Sequence, residues 1–151
     1  MADLTQQNIR PKKGQAAFLP NQPIIHNCVV DPTATDPLLI GDVVTFASTA
    51  LTDLTVVAKA KSTDVPCGVV VYNSIKSAFN ANDRVSLFPV NSFVYLPAGA
   101  ANLTNGAQVL INSDGEVEAA TSGDIAVGIL WTQPAAIGDM VAVQIAPAVV
   151  A

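Results

Sequence analysis

The chain has 151 residues, room for one domain with a modest core; half of them are hydrophobic, 13% are charged and 5% are aromatic. The formal charge of −5 is unevenly spread, with Arg10, Lys12 and Lys13 clustered near the start and four basic against eleven acidic residues over 14–151, so the body is a poor nucleic-acid binder. Mean hydropathy is high at +0.43, yet no window of about 20 residues is free of charge and turn residues, and the apolar stretch from Met140 to Ala151 is too short to span a bilayer and holds Gln144 and Pro147.

The start, Met-Ala-Asp-Leu-Thr-Gln-Gln-Asn, has no apolar signal core. The remaining account of the hydropathy is apolar surface buried between subunits, since obligate interfaces resemble a core cut in half.

Residues 1–23 are polar, Gln/Asn-rich and basic, with Pro11, Pro20 and Pro23. Neither a 3.6-residue nor a two-residue period is sustained there. The segment reads as an extended N-terminal arm that cannot fold alone and orders on a partner. Leu4, Ile9, Phe18 and Leu19 are its apolar anchors, and Arg10, Lys12 and Lys13 its charges. Deleting 1–20 is expected to leave the rest folded.

Residues 24–151 read as one all-β domain of short strands cut by turns. Val- and Ile-rich runs favour pleated, half-buried strands. The predicted strands are 24–30, 42–47, 55–60, 68–72, 84–88, 93–96, 108–111, 116–119, 126–131 and 140–145. The segments 74–79 and 98–103 each suggest a single helical turn. Asn112-Ser113-Asp114-Gly115 is a strong hairpin signal, and Asn105-Gly106 a second turn of that kind. Gly41-Asp42, Asn82-Asp83 and Gly138-Asp139 each precede alternation, with Val44/Phe46, Val85/Leu87 and Val141/Val143 sharing a face. There the aspartate is read as a turn residue bonding local backbone N–H groups. A short internal repeat is visible: Cys67-Gly68-Val69-Val70-Val71-Tyr72 resembles Val127-Gly128-Ile129-Leu130-Trp131. In each copy a loop, an Asp-led strand and a proline (Pro89 or Pro147) follow.

The chain offers little to build chemistry on. His26, the one histidine, shares a strand face with Cys28 at spacing two, but no Cys/His cluster supplies further zinc ligands. There is no Gly-x-Ser-x-Gly elbow. Cys67 could pair with His26 only through folding, and no nearby positive charge lowers its pKa. Both cysteines read as free, buried thiols of a reducing compartment. Glu116 and Glu118, two apart, point to one solvated strand face. No phosphate loop, dinucleotide fingerprint or calcium loop is present. The expectation is a non-enzyme with no cofactor and no metal.

Several stretches together resemble the capsid cement (decoration) proteins of tailed bacteriophages. These are the polar arm, Pro37-Leu38-Leu39-Ile40-Gly41-Asp42-Val43-Val44-Thr45-Phe46, Pro66-Cys67-Gly68-Val69-Val70-Val71 and the closing Ile137-Gly138-Asp139-Met140-Val141-Ala142-Val143. The spacing of Val-Gly-Ile-Leu before that last motif adds to the likeness, which covers most of 24–148. The resemblance implies a small β-barrel or β-tulip-like domain that sits on the capsid outer surface of the virion, bridges capsomers and is often a homotrimer. Its partners would be the major capsid protein and further copies of itself (trimer favoured, dimer possible), with assembly in the host cytoplasm and no nucleic-acid or membrane partner. Arm residues Leu4, Ile9, Arg10, Lys12, Lys13, Phe18 and Leu19 would bind those partners. An alternative is the anchoring or receptor-binding domain of a head fibre or tail part. That reading needs exposed aromatics, and burial within strands is expected for Trp131, Tyr72 and Tyr95.

Overall fold

The computed structural model describes residues 11–49, 51 and 54–151. Twelve strands are present, and no helix occurs among the described residues. They are β1 (Ile25–Val30), β2 (Leu38–Leu39), β3 (Val43–Phe46), β4 (Val56–Lys59), β5 (Gly68–Val70), β6 (Ala78–Phe79), β7 (Arg84–Pro89), β8 (Phe93–Pro97), β9 (Gln108–Ile111), β10 (Val117–Ala119), β11 (Ile125–Leu130) and β12 (Met140–Val149). All ten predicted strands form, within a few residues of their expected ends. The two proposed helical turns do not. Segment 74–79 carries β6, which pairs with β2, and 98–103 is a bend after β8.

Strands β1-β4-β3-β5-β7 close into a barrel, and β10-β9-β11-β12-β8 form a second five-stranded sheet. The second repeats the strand pairing of the first, without a ladder to close it. The pairing Gly68↔Pro89, Val69↔Phe88 and Val70↔Leu87 recurs as Gly128↔Ile145, Ile129↔Gln144 and Leu130↔Val143. Likewise Val44↔Lys59, Thr45↔Ala58 and Phe46↔Val57 recur in the β9–β10 pair of Val109 with Ala119, Leu110 with Glu118 and Ile111 with Val117. The parallel closure of the first barrel, Val30↔Val57, has its counterpart in the isolated parallel bridge Ala98↔Val117. Bonds outside the ladders repeat too: Gly41 N–H donates to Val70 O at 2.8 Å and Gly106 N–H to Leu130 O at 2.7 Å. The short repeat seen in the sequence is thus the best-preserved part of a duplication running from β1 to β12.

Turn chemistry explains how so many short strands are held. In Leu39–Asp42, Lys61–Asp64, Asn80–Asp83 and Thr121–Asp124 the aspartate carboxylate accepts the N–H three residues upstream at 2.8 Å, and in 136–139 Asp139 does so at 3.0 Å. Each of these aspartates also donates its own N–H back to that upstream carbonyl. Residues just before the aspartate take positive φ in four of the five (Gly41, Asn82, Gly123, Gly138), where only Gly and Asn are at ease. The aspartates read from sequence as turn residues are such, and Asp64 and Asp124 are two more. Hydrogen bonds from Lys76 and then from the Asn80 N–H hold the Asp83 carboxyl below its usual range, and the Thr121 N–H does the same for Asp124. In the 112–115 hairpin, Asn112 Oδ1 accepts N–H groups of Asp114 and Glu116, and Gly115 sits at φ +77°.

Two apolar clusters form. Cys28, Val30, Leu38, Val44, Val57, Val70, Val85 and Leu87 fill the first barrel. Residues of the second, such as Leu96, Val109, Val117, Leu130 and Ile145, pack with Val43, Val69 and Phe88 from the outer face of the first. Strands β3, β5 and β7 are therefore buried on both sides, which makes the two units one body. Val85/Leu87 and Val141/Val143 share buried faces as expected, whereas Phe46, at the end of β3, is exposed although Val44 is buried.

Candidate functional site

The described part of the arm lies on the body, turning at 12–15 and again at 17–19. Residues 14–17 run along β8 as an added strand: Gly14 N–H donates to Tyr95 O at 2.9 Å, Tyr95 N–H to Gln15 O at 2.9 Å and Ala17 N–H to Phe93 O at 2.8 Å. Gly14 O accepts the Tyr72 N–H at 3.0 Å, so one residue bonds both units. A Cβ at Gly14 would press on Gly41 N and Val70 O, at 2.8 and 2.9 Å. Gln22, almost fully buried, closes the segment: its Nε2 donates to Phe93 O at 2.8 Å and its Oε1 accepts the Phe93 N–H. β8 would otherwise present a bare edge, and the arm covers it.

Leu4, Ile9 and Arg10 lie outside the described residues. Lys12 Nζ donates to the Tyr72 hydroxyl at 3.3 Å and sits 5.5 Å from the centre of that ring. Lys13 Nζ reaches Asp42 Oδ1 at 3.3 Å, and Asp42 is buried, its other oxygen holding the Leu39 N–H. Both lysines, expected to meet a partner, thus have bonding partners in their own chain. Replacing Lys13 with methionine is expected to cost about 2–4 kcal/mol, measured by urea unfolding, because it strands a buried carboxylate; Lys13 is partly solvated, so the value sits below the range for wholly buried pairs.

Phe18 and Leu19 point outward. Leu19 N–H donates to Ala17 O at 2.6 Å around Phe18, whose φ is +59°. This is the strained form of the γ-turn, unusual for an aromatic residue. It directs the Phe18 ring onto Phe93 (centroids 5.8 Å apart) and Trp131 (6.2 Å), which contact each other at 5.3 Å, all edge-to-face. Trp131 is half exposed, against the expectation of burial, while Tyr72 and Tyr95 are partly buried. Alternation along β11 carried the signal, for Leu130 points inward and its successor must point out. Together with Leu19 the three rings line an apolar recess of about 290 Å³. Leu19 also borders a groove of about 430 Å³ running past Pro20, Pro89 and Val90.

The other candidates do not assemble into chemistry. A bulge at Asn27 (φ +65°) breaks the β1 register between Ile25 and Cys28. His26 and Cys28 therefore do not share a face: Cys28 is buried in the barrel, and His26 is exposed with Nδ1 3.0 Å from Ser86 Oγ. Burial raises both thiol pKa values, that of Cys67 to about 11, where the nearby Cys28 adds to the effect. Both thiols therefore stay protonated at pH 8. Alkylation of the native protein by iodoacetamide is expected to be far slower than in urea, and that of Cys67 to climb steadily with pH and level off only near 11. Cys28 is buried as expected, whereas Cys67 is only partly so; fast labelling of Cys67 at pH 7 would contradict its raised pKa. Glu116 and Glu118 flank Gly99 on one face, as expected.

No protein-family model and no curated protein matches the chain. Among solved structures, the chain is similar to the head fibre gp8.5 N base of bacteriophage phi29, with a TM-score of 0.59 and 14% identity over 82% of this chain and 95% of that one. At that identity the likeness establishes a shared fold: an all-β body built on a small barrel.

Proposed function

We propose that this chain is a structural protein of a tailed-phage head that sits on the outer surface of the capsid at capsomer junctions and stabilises it, associating with itself and with the major capsid protein. The observation that carries the reading is the fold likeness to a phage head fibre base, met independently by motifs that resemble the cement proteins. Apolar strands paired in register, with aspartates committed to turns and thiols held protonated, suit a scaffold better than a catalyst. Many copies on a symmetric shell add avidity even where each contact is weak.

The fibre base also supports the second reading, an anchoring domain for a head fibre. The half-exposed Trp131 favours it as well, since that reading requires exposed aromatics. Reconstruction of heads from the phage that carries this gene, with and without the protein, separates the two. Added density at many capsomer junctions, with earlier head rupture on heating when the protein is missing, is the result expected for decoration. Projecting fibres lost with the protein would favour anchoring. Heads that neither contain nor bind it would overturn both.

A further inference from the structure

Phe18, Leu19 and Trp131 are 55%, 53% and 49% exposed and lie together on the outer side of the second sheet. We propose that this aromatic patch is the surface through which the chain binds a second copy of itself; the inference rests on the self-association in the reading above and gives it a location.

The duplication supplies the first argument. On the barrel the outer-face residues Val43, Ala60, Val69 and Phe88 are buried against the second sheet, with Val71 packed at their edge. By the paired registers, their counterparts on the second sheet are Gln108, Ala120, Ile129, Gln144 and Trp131. These are partly or largely exposed. One of two equivalent faces is thus covered by the other unit within the chain, and the described residues leave the other uncovered. A β unit of the same kind, brought by another subunit, is the occupant the architecture already uses.

Side-chain chemistry supplies the second. Val43 and Phe88 are replaced by Gln108 and Gln144, and Trp131 Nε1 donates to Gln144 Oε1 at 3.2 Å. Amides are hydrated in a free subunit and can bond across an interface, so the chain folds alone and associates reversibly. Among the described residues no charged side chain lines the aromatic recess or the adjoining groove, in a chain whose formal charge is −5. Two acidic bodies meet at least cost where neither carries charge, and aromatic residues without charges typify the centre of an interface. The third argument is backbone strain: the γ-turn at Phe18 holds an aromatic ring toward solvent, and such outliers gather at binding sites.

Trp131 is the single tryptophan, so its emission reports on this patch without mutation. Sedimentation velocity and tryptophan fluorescence of the full chain, from low micromolar to near-millimolar concentration, test the proposal. Expected are a rise in mass above the monomer and a blue shift of Trp131 emission that follows it. Phe18→Ser and Trp131→Gln should each raise the dissociation constant about tenfold or more with the urea midpoint nearly unchanged. A chain that stays monomeric, or one that associates with unshifted emission, would overturn it, and the emission readout stands even if a variant fails to fold. Head binding measured alongside separates the two levels. A monomer that still binds heads, and loses that binding in Trp131→Gln, would give the patch to the shell and leave the head-protein reading standing.

Discussion

Gly128→Ala is expected to be the most damaging single substitution in the chain, lowering stability by about 3 kcal/mol or more. A Cβ there would overlap the Gln144 carbonyl oxygen and crowd Ala146 N at 3.1 Å, both backbone atoms of β12. No side chain can rotate away, and relief requires β11 and β12 to separate. The β11–β12 register shifts between Ala126 and Gly128, which brings the strands this close. Gly68 holds the equivalent place in the first barrel, its Cβ 2.6 Å from Phe88 O, so Gly68→Ala should do the same less severely. Gly123→Ala meets nothing within 4 Å and carries only the strain of φ +91°, about 1 kcal/mol. Urea unfolding of the three variants should rank them in that order. A Gly128→Ala protein as stable as the parent would show that the strands do not approach as described.

Removing residues 1–22 is expected to cost several kcal/mol, a large share of the roughly 5–15 kcal/mol typical of a domain. The truncation deletes the added strand on β8, the Gly14 bonds to both units, the Gln22 clasp and the Lys13 partner of buried Asp42. Each neutral backbone bond contributes about 0.5–1.5 kcal/mol, and stranding the carboxylate costs more. The bared β8 edge should also make the protein prone to aggregate. Removing only residues 1–10 spares all of these contacts. The midpoint in urea should therefore be much lower for the longer deletion than for the shorter. Equal midpoints would show that these contacts add little to stability.

The sequence alone determined ten of the twelve strands. Val- and Ile-rich runs bounded by Gly-Asp, Asn-Asp and Asn-Gly are local signals, and local signals survive without knowledge of distant partners. It also disclosed the strongest stretch of the duplication, because 67–72 and 127–131 share the glycine that lets strands crowd. The rest of the duplication stayed hidden, since pairs such as Val43 and Gln108 keep a backbone register while exchanging side-chain chemistry. β2 and β6 were missed because two-residue strands carry no period. Tertiary structure alone decided where the arm goes. Apart from the Gln22 clasp, its bonds to β8 come from backbone groups, which every sequence has, and its fit depends on an edge assembled about 80 residues further on. The aromatic patch was likewise beyond a local reading: Phe18, Phe93 and Trp131 come from three separate segments, and only the closed strands bring their rings together.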